Sequence, residues 1–87
     1  MVIWKFKLEI TDVQVVRMPA GAKILSVANQ DGNLCLWAMV HTESPNVDRK
    51  IEILGTGNPI PLYRAPRTFI GTAIIGRFVW HVFESAV

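Results

Sequence analysis

Apolar and polar residues alternate with a period of two along most of the chain, the spacing of strands with one buried and one solvated face. Trp4, Phe6, Leu8 and Ile10 alternate with Lys5, Lys7 and Glu9, which predicts a first strand carrying these four apolar side chains on one face. Residues 13–18 form a second, β-branched run, ended by Pro19-Ala20-Gly21. Residues 23–29 and 34–41 flank Gln30-Asp31-Gly32-Asn33. Asp-Gly suits a two-residue type I′ turn, in which both central residues take positive φ. That turn sets Gln30 opposite Asn33, Ala28 opposite Cys35 and Ser26 opposite Trp37. Residues 47–54 alternate again, with Val47, Arg49, Ile51 and Ile53 on one face. The glycines and prolines of residues 55–61 break any ladder, and irregular chain is expected to run on to Arg67. Residues 68–75 and 77–84 read as a last pair of strands turning at Gly76.

The expected fold is therefore all-β or nearly so: a single domain over residues 1–87, built as a small sandwich or partly open barrel of about seven short strands. Several strands are apolar on both faces. Leu34, Leu36, Ala38 and Val40 oppose Cys35, Trp37 and Met39, and Phe78, Trp80 and Val82 oppose Val79 and Phe83. A two-layer domain covers one face of each strand, so the surplus predicts a homo-oligomer, a dimer or a closed ring, with Trp37, Met39, Phe78 or Trp80 at its interface.

Composition narrows the function classes. The chain is 51% hydrophobic and 18% charged, which excludes a disordered segment. A net charge of +2 is too weak for a binder of duplex nucleic acid. The single cysteine, Cys35, excludes an internal disulfide framework and reads as an inert thiol in mid-strand. The opening residues carry a charge at every second position from Lys5, so no signal peptide is expected. The longest uncharged runs, 32–42 and 53–63, are shorter than the ~18 residues that span a bilayer. The expectation is a cytosolic protein with no membrane partner.

Candidate chemistry is sparse. His41 and His81 are far apart in sequence and supply one ligand each, so neither a metal nor another cofactor is expected. No serine, threonine or cysteine sits in a nucleophile elbow, and no carboxylate pair stands out, so no catalytic residue is assigned. Glu84 ends an apolar strand and reads as a surface or interface charge. The Gly55-Thr56-Gly57-Asn58 segment resembles a backbone cradle for an anion, or equally a turn at a strand end. Charge favours the cradle: Arg49, Lys50, Arg64, Arg67 and Arg77 face one acid, Glu52, in residues 49–77. Arginine forks suit phosphate oxygens, and the Tyr63 ring suits a base.

The segments Ile3-Trp4-Lys5-Phe6, Cys35-Leu36-Trp37-Ala38, Gly55-Thr56-Gly57, Phe69-Ile70-Gly71-Thr72 and Val79-Trp80-His81-Val82-Phe83-Glu84, with others along nearly the whole chain, resemble a family of short phage and prophage proteins of unknown function. The resemblance brings no activity and no binding residues. It implies a viral protein in the host bacterial cytoplasm that inhibits or sequesters a host component. The resulting expectation is a non-catalytic homo-oligomer that sequesters a small anionic, nucleotide-derived defence signal. Its ligand would meet Thr56, Gly57, Asn58, Tyr63, Arg64 and Arg67, completed by Arg77 or His81. On this reading Arg64→Ala or Arg67→Ala weakens binding and leaves the fold intact. The alternatives are a protein-binding inhibitor of a host factor or a virion accessory protein, and, with least support, a small phosphodiesterase.

Overall fold

The computed structural model describes residues 1–62 and 66–86. They form seven strands: β1 (Val2–Lys7), β2 (Val13–Pro19), β3 (Lys23–Gln30), β4 (Asn33–Val40), β5 (Asn46–Gly55), β6 (Arg67–Ile75) and β7 (Phe78–Ser85). All pairings are antiparallel, in a three-stranded sheet ordered β1-β4-β3 and a four-stranded sheet ordered β2-β5-β7-β6. The sheets are open and do not close into a barrel; of the two expected architectures, the barrel is not the one that forms. No helix among the described residues is long and apolar enough to cross a membrane.

The β3–β4 hairpin turns at Asp31 and Gly32, with φ of 53° and 84°. Its register places Ser26 opposite Trp37, Ala28 opposite Cys35 and Gln30 opposite Asn33, as the Asp-Gly turn dictates. Asn29 Oδ1 accepts from the Gly32 amide at 2.8 Å and holds the turn closed.

One core lies between the sheets. Leu34, Leu36, Ala38 and Val40 of β4 are each 1% exposed or less, and they pack with Met18, Ile51, Ile53, Ala73 and Val82 from the other sheet. Burying each aliphatic side chain contributes roughly 1.5–3 kcal/mol. Beside this core, β3 and β6 run close together. The Asn29 side chain donates to the Ile74 carbonyl at 3.0 Å, and a Cβ on Gly71 would stand 3.1 Å from a Val27 methyl. Gly71 sits at a register shift in β6, where the missing side chain permits that approach.

The first strand departs from its predicted pattern. It ends at Lys7, and of the four expected core residues Leu8 is buried, Phe6 is half-buried, and Trp4 and Ile10 are 41% and 48% exposed. Trp4 is paired with Ala38 but lies on an edge strand, and for Ile10 the physical reason is the length of the partner. The Leu8 amide donates to the Leu34 carbonyl, the second residue of β4, and the chain then leaves the sheet. Gln14 pins the departing turn, accepting from the Glu9 amide at 3.1 Å and donating to its carbonyl at 2.7 Å.

The outer face of β4 is partly covered within the single chain. Cys35 is buried, and Trp37 and Met39 are half-buried. Trp37 lies between Lys5 and Ser26, and the Lys5 ammonium is held by Gln30 Oε1 at 2.7 Å. The lysine stem thereby covers apolar surface while its charge stays wet. Phe78 and Trp80 belong to the other sheet, so the three aromatics and one methionine expected at an interface occupy two separate places.

Candidate functional site

Two turns meet at one end of the four-stranded sheet. In the first, β5 stops at Gly55 and residues 56–58 fold over it: the Asn58 amide donates to the Gly55 carbonyl at 3.0 Å, and Gly57 takes a φ of 87°. In the second, Gly76 and Arg77 join β6 to β7. The Thr56 amide donates to the Val79 carbonyl at 3.2 Å and ties the two turns together. Between them lies an open cavity of about 450 Å³, lined by Gly55, Thr56, Asn58, Arg77, Val79 and the aromatic pair Phe78 and Trp80. The two rings stack, with centroids 5.8 Å apart and planes 30° apart. Phe78 is 58% exposed, so the pair presents an open π face. Arg77 is exposed and has no ion-pair partner among the described residues.

The sequence-predicted site residues therefore divide. Thr56, Asn58 and Arg77 line this cavity, and Gly57 lies in its turn. His81 stands behind it: Nε2 is 2.7 Å from Thr56 Oγ1 and Nδ1 is 2.9 Å from Thr72 Oγ1. Both ring nitrogens are engaged, so the histidine fixes the Thr56 hydroxyl and does not line the cavity. Tyr63 and Arg64 lie outside the described residues. Phe78 and Trp80, expected at an interface, line this cavity in the single chain.

Arg67 has a different partner from the expected ligand. Its Nε donates to Glu52 Oε2 at 2.9 Å, and its Nη2 donates to the Pro61 carbonyl at 2.6 Å. The side chains of Arg67 and Glu52 are 16% and 1% exposed. This pair straps residues 59–61 across β5, and the guanidinium charge is already balanced. Arg49, from the same basic stretch, is likewise engaged. It makes a bidentate contact with Glu84 and donates to the Ala22 carbonyl at 2.8 Å. The Glu84 hydrogen bonds push the Arg49 pKa up from its ordinary value, against the opposing effect of burial.

A second cavity, of about 550 Å³, adjoins the first and shares Gly55, Asn58 and Trp80 with it. It opens where β2 begins, with Val13 opposite Glu52, while β5 runs on to Gly55. Glu52 lines it. In the sequence its one signal is that it is the single acid between Arg49 and Arg77. Among the described residues no group of three or more His, Cys, Asp or Glu side chains is placed to hold a metal ion.

Comparison with known proteins adds a family and no activity. No curated protein matches the chain, and no solved structure does. The model of one family matches residues 1–87, and its description assigns no function and no phage or prophage origin. The chain belongs to that family, the domain of unknown function DUF7352.

Proposed function

We propose that the protein is a non-catalytic binding protein for a small anionic ligand of nucleotide type, seated in the cavity between the two turns. The observation that carries this reading is the Arg77 guanidinium, without an ion-pair partner among the described residues, beside the exposed Phe78–Trp80 stack. An arginine fork binds phosphate oxygens in bidentate fashion, and an aromatic face stacks on a base. Thr56 and Asn58 add polar groups at the rim, and the Gly57 turn lets the backbone approach an anion closely. Arg67 contributes by holding the loop rather than by touching the ligand.

Sequestration of a host defence signal by a homo-oligomer is the role implied by the phage-type resemblance, and it remains part of the proposal. The test is incubation with a panel of cyclic and ADP-ribose-type nucleotides, followed by heating and mass analysis of what is released. Intact ligand is the expected result. Altered ligand means an enzyme, and an empty result for every nucleotide overturns the reading. A second reading, a protein-binding inhibitor, draws on the exposed Val15, Phe69 and Ile74 on the outer face of the four-stranded sheet, at 59%, 57% and 63%.

A further inference from the structure

The fold leaves one strand edge open and unguarded. The β2–β5 ladder keeps a single register from Val13–Glu52 to Pro19–Asn46, and the Ile53 amide extends it to the Asp12 carbonyl at 3.1 Å. Hydrogen-bonded positions alternate along an antiparallel pair. Gln14, Val16 and Met18 therefore bond to β5, and the amides and carbonyls of Val13, Val15 and Arg17 point away from it. β2 is the end strand of its sheet, so no described strand meets them. The Val13 carbonyl accepts from the Thr11 hydroxyl at 3.2 Å and keeps a second lone pair. The other three sheet edges are blunted in the ways that prevent pairing. β3 and β6 lie against each other through Asn29 and the Ile74 carbonyl, and each carries a register shift. The Leu8–Leu34 bond turns the even residues of β1 toward β4, so Lys5 and Lys7 stand at its outward positions. β2 has no register shift, and its one charge, Arg17, is paired with Asp48 at 3.3 Å. Val13 and Val15 are both exposed.

We infer that β2 pairs with β2 of a second copy, antiparallel about a two-fold axis at Val15, which joins two four-stranded sheets into one of eight. Self-complementarity names the partner. Outward residues must meet outward residues, and centring on Val15 sets it opposite its own copy and Val13 opposite the second copy's Arg17. Every outward amide and carbonyl of the three residues then has a partner. Centring on Val16 would set Val13 against Pro19, which has no N–H, and centring on Gln14 would set Arg17 against Thr11, beyond the strand. The favoured register also keeps like charges apart. Arg17 faces a valine, and the two Lys50 residues are separated by both Val15 side chains, roughly 14 Å at three strand spacings. Val13 lines the 550 Å³ cavity, so the second copy brings its Arg17 beside a wall of that cavity. A two-fold pairing uses up β2, so a larger ring needs a second surface as well. The inference names a surface for the homo-oligomer of the proposed function and does not depend on the nucleotide.

The test is light scattering through the micromolar range, combined with hydrogen exchange. The wild type is expected at twice the chain's 9.7 kDa. Its Val15 amide should exchange ~10-fold or more slowly in the dimer than after dilution, because pairing takes it from open to bonded. Val15→Pro removes an amide that β5 does not use, so the ladder survives and the dimer does not. Its mass should fall to 9.7 kDa with the β-sheet circular dichroism unchanged. Should Val15→Pro fail to fold, Val15→Lys replaces an exposed side chain, sets two ammonium groups face to face and should weaken the dimer about 5-fold or more. A wild type that stays monomeric overturns the edge pairing and the homo-oligomer together. A dimer that the folded variants leave intact, or a Val15 amide whose exchange ignores concentration, overturns the edge pairing and leaves the oligomer standing. Neither result bears on nucleotide binding, which the release assay reads separately.

Discussion

Arg67→Ala removes the partner of a carboxylate that is 1% exposed, and it also frees the Pro61 carbonyl. The pair is deep enough that solvent does not take over the lost contacts, because the arginine side chain itself is 16% exposed. Truncating one member of a buried pair leaves the other charge uncompensated, which costs about 3–5 kcal/mol. A domain of this length has a total stability of roughly 4–13 kcal/mol. The variant is therefore expected to lose about a quarter of its stability or more. With a urea slope of about 1 kcal/mol/M for a small domain, the unfolding midpoint should fall by about 3–5 M. Equilibrium urea unfolding followed by tryptophan fluorescence reads this directly. The control is Arg67→Met combined with Glu52→Leu. It leaves no charge behind and should lie within about 1–2 kcal/mol of the wild type, since apolar replacement of a buried pair is often neutral. A loss below about 1 kcal/mol for Arg67→Ala, or a double variant as unstable as the sum of its singles, would refute the strap. The outcome also separates two accounts of this residue: a solvated ligand contact predicts an unchanged midpoint.

Gly32 holds a φ of 84°, so Gly32→Ala should cost about 1–2 kcal/mol and lower the thermal midpoint by roughly 5–15 °C in a calorimetric scan. Gly71→Val should destabilise by about 1–3 kcal/mol through the Val27 contact at 3.1 Å, measured by urea unfolding; an unchanged midpoint would mean that β3 and β6 do not approach as described. Arg77→Ala should leave stability within about 0.5 kcal/mol of the wild type and weaken a bound nucleotide ~30-fold or more by titration calorimetry. Light scattering at micromolar concentration should give the mass of a dimer or larger ring, and Trp37→Glu should dissociate or unfold it; a strictly monomeric wild type would overturn the oligomer.

Most of the fold was legible because its signals are local. The Asp31-Gly32 turn demands positive φ at both positions, and once it is placed the whole β3–β4 register follows without long-range information. The β5 pattern also reads correctly on its inner side, where Ile51 and Ile53 are 0% and 3% exposed. What alternation does not encode is where a partner strand ends. Ile10 keeps the period-two pattern but lies beyond the last residue of β1, so its side chain is not presented to the core. Nor does alternation reveal what crosses the second face. Glu52 and Leu54 are 1% and 8% exposed, because the glycine- and proline-rich loop folds back over β5.

That return of the loop is also why charge counting could not tell the engaged arginines from the one left over. A sum over residues 49–77 registers five cations and one anion, and every cation enters it as free. The fold engages two of the arginines: Arg49 forks onto Glu84, from outside the counted stretch, and Arg67 takes Glu52 from within it. Among the described arginines of this stretch, the cation left for a ligand is Arg77, placed by the β6–β7 turn beside the end of β5. Its usefulness depends on Phe78 and Trp80, two residues that sequence reasoning assigned to an interface because they lie on an apolar strand. Both rings line the same cavity as Thr56 and Asn58, beside a guanidinium with no ion-pair partner among the described residues. The acid in the count has the larger consequence. Glu52 neutralises Arg67 from the face that the loop covers, so one arginine of the stretch is held as structure.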